Sequence, residues 1–137
     1  PTHFHLLLKQ NIGNGITDYL SKVENSYSKY VNTIYKRKGP LWEARFKSVH
    51  VDTDEQLLHL TRYIHLNPIS AGLVKKPENW GYSSYKEYLG VENNYICTFN
   101  DLISMPEKEY QKFVNDRIAY QHELSVIKSQ LIDDYSG

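Results

Sequence analysis

Apolar positions recur with different periods in successive blocks of the chain. Residues 3–8, HFHLLL, form a short apolar run built like a buried strand, and QNIGNG at 10–15 follows with turn chemistry. The period then lengthens. Ile16, Tyr19, Leu20, Val23, Tyr27, Tyr30, Val31, Ile34 and Tyr35 recur at helical spacing, which predicts a long amphipathic helix. Lys36, Arg37 and Lys38 belong to its last turn, and Gly39-Pro40 ends it. Aromatics at such spacing are read first as core. LWEARFKSVHV, at 41–51, returns to partial alternation and reads as an extended segment or strand.

A second, sharply bounded helix is predicted within DTDEQLLHLTRYIHLNP. Asp52 or Thr53 caps it, Glu55 or Gln56 completes a capping box, and Pro68 stops it near His65 or Leu66. Leu57, Leu60, Thr61 and Ile64 are its core candidates, leaving Tyr63 and Asn67 as an i,i+4 pair. Residues 69–90 combine turn residues with Trp80, Tyr82, Tyr85 and Tyr88, which suits an aromatic-packing loop followed by a short helix. From Pro106 the stripe Tyr110, Phe113, Val114, Ile118, Leu124, Ile127 and Leu131 predicts a helix to about Asp133. That stripe folds back onto the domain or pairs with another copy, which makes a homodimer a candidate assembly.

At 137 residues the chain has room for one domain plus an extension. With 40% hydrophobic and 23% charged residues, and no apolar run near the roughly 18 residues of a membrane span, it reads as soluble. The single cysteine, Cys97, excludes an intrachain disulfide, and no export signal is recognisable, so a reducing cytosol fits best. Net charge is +0 but unevenly spread: residues 1–90 hold 12 Lys and Arg against 8 Asp and Glu, residues 91–137 hold 4 against 8. The basic front half is the polyanion candidate. KRK at 36–38 and ARFK at 44–47 interleave with Tyr35, Trp42 and Phe46, as either a phosphate-and-base surface or a solvated face would.

His3 and His5, two apart, would project from one face of a strand and read either as a metal clamp or as two hydrogen-bonded core histidines. On the second helix, His59 lies one turn before Tyr63 on the same face, whereas His65 points away.

The HFH motif, RFKS at 45–48, RYIHLNPISAGLV at 62–74 and W-x-x-SSY at 80–85 resemble, in order, the single-tyrosine HUH transposases, including the REP-associated tyrosine transposases. The resemblance covers about residues 1–90. It implies an α+β fold, a ferredoxin-like HUH endonuclease core with an antiparallel sheet and helices on one face, followed by a helical extension over 91–137. It further implies that His3 and His5 hold a divalent metal, Mg²⁺ or Mn²⁺, with Asn67 completing the site, and that Tyr63 is the nucleophile. Lys36, Arg37, Lys38, Arg45, Lys47 and Arg62 are then the DNA-binding candidates. The implied activity is transposase-type: cutting and rejoining single-stranded DNA at hairpin or repeat ends through a 5′-phosphotyrosine, in the bacterial cytosol or nucleoid. A phosphodiester repels nucleophiles, so a cation must neutralise its oxygens, and a phenol needs a nearby cation or base to attack. In the family a strand, a helix and a strand precede the HUH strand, whereas this chain opens at Pro1. It is therefore expected to lack an N-terminal part: a fragment, a chain completed by another copy, or a degenerate remnant that binds DNA without cutting it.

Overall fold

The computed structural model describes residues 3–94, 96–99 and 103–122. Regular structure there is helical: α1 (Gly15–Ile34), α2 (Asp54–Ser70), a single 3-10 turn (Pro77–Asn79), α3 (Tyr85–Tyr88) and α4 (Glu107–Asn115). Among the described residues there is no strand, so the expected α+β, ferredoxin-like fold with its antiparallel sheet is overturned. The two segments with strand-like patterning, 3–8 and 41–51, adopt no regular structure. Alternation alone does not make a strand, because each backbone N–H and C=O needs a ladder partner from a neighbour.

The chain divides into two compact units, Pro1–His50 and Val51–Gly137. In the first, α1 is the main element, and its end departs from expectation. Tyr35 caps the helix, Lys36 turns left-handed at φ 48°, and Lys36 N–H and Arg37 N–H return to the carbonyls of Thr33 and Asn32. These paired bonds are a Schellman closure with lysine where glycine is usual, so the basic triplet follows the helix instead of forming its last turn. Leu20 is the buried residue of α1. Tyr19, Tyr27, Tyr30 and Tyr35, expected as core, are exposed.

The second unit holds the hydrophobic core: Leu66, Ile69, Tyr85, Tyr110 and Val114, bordered by Leu58, Tyr88, Leu89 and Phe113. Tyr110 and Val114 of α4 belong to this core, and Met105 and Ile118 pack against it. Helix α2 begins as its sequence suggests. Thr53 accepts from Gln56 N–H at 3.1 Å, and the Gln56 side chain accepts from Asp52 N–H at 2.9 Å, a reciprocal closure of the first turn.

Its end corrects the sequence reading, for Pro68 lies inside the helix. Pro68 cannot donate to the carbonyl of Ile64, yet the chain regains its pattern at once, with Ala71 N–H on the Asn67 carbonyl at 2.9 Å. Termination comes at Gly72, φ 68°, where Gly72 and Leu73 donate back to Ile69 and Pro68. The extra turn places Pro68 and Ile69 on the buried side, while Leu57, Leu60 and Ile64 are only half-buried. Past α4 the chain turns at Asp116-Arg117 and is helical again over 118–122; Leu124, Ile127 and Leu131 of the predicted stripe lie outside the described residues.

Candidate functional site

The two sides of α2 have separate chemistry. On the outer side Tyr63, 49% exposed, receives a hydrogen bond on its phenolic oxygen from the Asn67 amide at 3.4 Å. One helical turn separates the two, so the spacing that paired them in the sequence also brings their polar ends together. His59, a turn earlier, receives a hydrogen bond on Nδ1 from Arg62 at 2.8 Å and lies 3.9 Å from the Glu55 carboxylate. Arg62, a DNA-binding candidate, has a structural occupation. Its guanidinium covers the Phe113 ring at 3.9 Å and donates to the Phe113 carbonyl at 3.3 Å, clamping α2 to α4.

On the inner side His65 is 2% exposed. Its Nδ1 lies 2.7 Å from the Tyr110 hydroxyl and its Nε2 2.9 Å from the Ser84 hydroxyl, so both ring nitrogens are bonded. The rings of Tyr85, Tyr88 and Tyr110 meet it edge-on at 5.4, 4.8 and 5.8 Å. Burial drives its pKa down from 6.5 to about 4, so the ring is neutral, with one nitrogen donating and the other accepting. The same burial raises the phenols of Tyr85 and Tyr88 to about 12, and that of Tyr110 further still. Position 65 points away from Tyr63, as the helical period requires, but its bonds to residues 19 and 45 positions onward had no local signal.

In the first unit His3 and His5 meet ring to ring, their centroids 5.1 Å apart and their planes nearly perpendicular. Phe4 packs on Trp42 at 5.6 Å, and the Trp42 indole donates to the Glu24 carbonyl at 3.2 Å. Alternation thus survives without a sheet. Local desolvation, and then the neighbouring His3, lower the His5 pKa, which favours the neutral imidazole that coordinates metals. With metal–nitrogen distances of about 2.1 Å, two imidazoles can share one ion at this ring separation. The pair brings two imidazoles within reach of each other, and among the described residues no group of three His, Cys, Asp or Glu is gathered for a metal ion. Asn67, expected as a third ligand, has its amide nitrogen on the Tyr63 oxygen.

The basic candidates Lys36, Arg37, Lys38, Arg45 and Lys47 are all exposed, with Arg37 donating to the Pro40 carbonyl at 3.2 Å. Of the predicted site residues, each unit brings one pair together: His3 with His5, and Tyr63 with Asn67. No helix among the described residues is long and apolar enough to cross a membrane. Comparison with family models, curated proteins and solved structures gives no match to the chain.

Proposed function

We propose that the chain cuts and rejoins single-stranded DNA, at hairpin or repeat ends, by transferring a phosphodiester to Tyr63. The observation that carries the reading is the arrangement on α2: an exposed phenol, its oxygen oriented by Asn67, on a helix whose opposite side is fastened by His65. The order of sequence motifs supports it independently.

In this reading Tyr63 Oη attacks phosphorus in line with the 3′ oxygen. An O–P bond to tyrosine forms, the P–O3′ bond breaks, the phenolic proton passes to water, and the departing 3′ oxygen takes up a proton. The product is a 5′-phosphotyrosine and a 3′-hydroxyl. Attack by a 3′-hydroxyl on that linkage reverses the step and joins strands, with no nucleotide cofactor. A divalent cation, Mg²⁺ or Mn²⁺, supplies charge neutralisation at the phosphate when bound. His3 and His5 are its proposed donors, and two imidazoles favour Mn²⁺. Lys36, Arg37, Lys38, Arg45 and Lys47 hold the strand by its phosphates, a sequence-independent contribution weakened by salt. The substrate places the protein in the bacterial cytosol or nucleoid.

The test is an incubation of the whole chain with a 3′-labelled single-stranded DNA hairpin and Mn²⁺. A denaturation-resistant adduct is expected, absent from Tyr63→Phe and absent with a chelator. The double change His3→Ala, His5→Ala should remove the adduct while leaving most strand binding. An adduct that persists in Tyr63→Phe refutes the assignment. Binding without any adduct identifies a remnant that has kept only its hold on DNA.

A further inference from the structure

Helix α1 carries bulky residues on an outward stripe, where a helix inside a domain would hide them. Tyr27 and Tyr30 are 51% and 61% exposed, and with Tyr19, Val23 and Ser26 they line a shallow open depression along the helix. The Tyr27 and Tyr30 rings are nearly parallel, 24° apart in plane, with centroids at 6.4 Å. Trp42 braces the platform, its ring 5.9 Å from Tyr27 and its indole fixed to the Glu24 carbonyl. Phenols presented this way offer flat faces already ordered by their neighbours.

Charge distinguishes this stripe from an ordinary helix-pairing face. Lys22 borders the depression and Lys29, seven residues on, keeps to the same edge of the helix, while Lys36 follows in the left-handed closure past the helix end. Arg37 and Lys38, exposed as well, come next in the chain beyond the helix. Over residues 15–38 there are five bases against two acids, Asp18 in the first helical turn and Glu24 one turn before Tyr27. A second copy would bring the same lysine row against its own, whereas a polyanion complements it.

We infer that this face is a docking platform for single-stranded nucleic acid, with bases stacked on Tyr27 and Tyr30 and phosphates running along Lys22, Lys29 and Lys36. It rests on the reading of the chain as a single-strand binder, but not on the chemistry assigned to Tyr63. Base–aromatic stacking tolerates any sequence, and the lysine edge supplies the backbone contacts that stacking needs alongside it.

The experiment is fluorescence anisotropy with a labelled, mixed-sequence single-stranded DNA of about 20 nucleotides, enough to span one such platform. It is made on the full chain carrying Tyr63→Phe, in chelator, so that no covalent product forms. Tyr27→Leu with Tyr30→Leu should weaken binding about a hundredfold, roughly tenfold per ring, while Tyr27→Phe with Tyr30→Phe leaves it near its starting value. The same strand lacking its bases should bind the parent and the leucine variant alike. Changing Lys22, Lys29 and Lys36 to Gln should lower the logarithmic salt slope by about two. Unchanged affinity in the leucine variant overturns the inference, as does absence of binding by the parent. Self-association that the leucine changes abolish, with DNA affinity intact, assigns the face to a second copy and overturns it equally. Failure of the Tyr63 adduct in the separate cleavage assay, with stacking-dependent binding preserved, sinks the catalytic reading alone.

Discussion

Acid should unfasten the second unit through one residue, His65. Its ring is neutral when folded because the pocket made by Tyr85, Tyr88, Tyr110, Ser84 and Thr61 offers hydroxyls and ring edges but no carboxylate. The unfolded chain takes up the proton near pH 6.5 and the folded chain only near 4. Between those values the unfolded state binds more protons, so stability rises with pH across the window and is flat with respect to this group above 6.5. A separation of about 2.5 pH units at about 1.4 kcal/mol each amounts to roughly 3.5 kcal/mol, present at pH 7 and lost as pH falls through 4, with about 3 kcal/mol of it gone by pH 4 itself. Against a domain stability of about 5–15 kcal/mol that is a large share. Urea unfolding at steps from pH 7.5 to 4.0 measures it, with Trp42→Phe introduced so that Trp80 reports on the second unit. Carboxylates also titrate at the acid end, so the informative quantity is the difference from His65→Gln, whose amide bonds without ionising. The parent should lose about 3 kcal/mol more than His65→Gln over the window. Equal slopes in the two proteins would refute the argument.

Three further substitutions test the packing. Lys36→Gly should stabilise the first unit by about 1 kcal/mol, because lysine there occupies the left-handed region; urea unfolding followed by Trp42 fluorescence, with Trp80→Phe, measures it. Gly72→Ala should have the opposite sign and similar size, about 1 kcal/mol, since its φ is 68° and nothing crowds an added Cβ; the Trp80 signal reports it. Tyr85→Phe should leave the second unit as stable or more so, by up to about 1 kcal/mol, because the buried Tyr85 hydroxyl has no hydrogen-bond partner; a lower unfolding midpoint would show that the hydroxyl is satisfied.

What the sequence made legible was local. Helical spacing located α1 and α2, the Thr53 box set the start of α2, and the period of 3.6 put Tyr63 beside Asn67 and turned His65 away from them. The failures required knowledge of partners. HFHLLL has the composition of a strand, but a ladder depends on a second strand that local composition does not reveal. Tyr19, Tyr27 and Tyr30 have core-like spacing, yet spacing says nothing about whether another surface covers them. Pro68 looked like a stop because its missing N–H is a local fact, whereas the closure at Gly72 that lets the helix run on depends on the residues beyond it. The bonds from His65 to Ser84 and Tyr110 join three segments and could not be read from any one of them.

Pro68 leaves one rung out of α2, between the turn that carries Tyr63 and the turn that carries Asn67. A rod with a missing rung flexes there first, while its inner row stays bolted through His65 to the neighbouring segments. Small bends would therefore open and close the gap between phenol and amide without loosening the rest of the unit. The Tyr63 oxygen sits at the compliant joint of a stiff support.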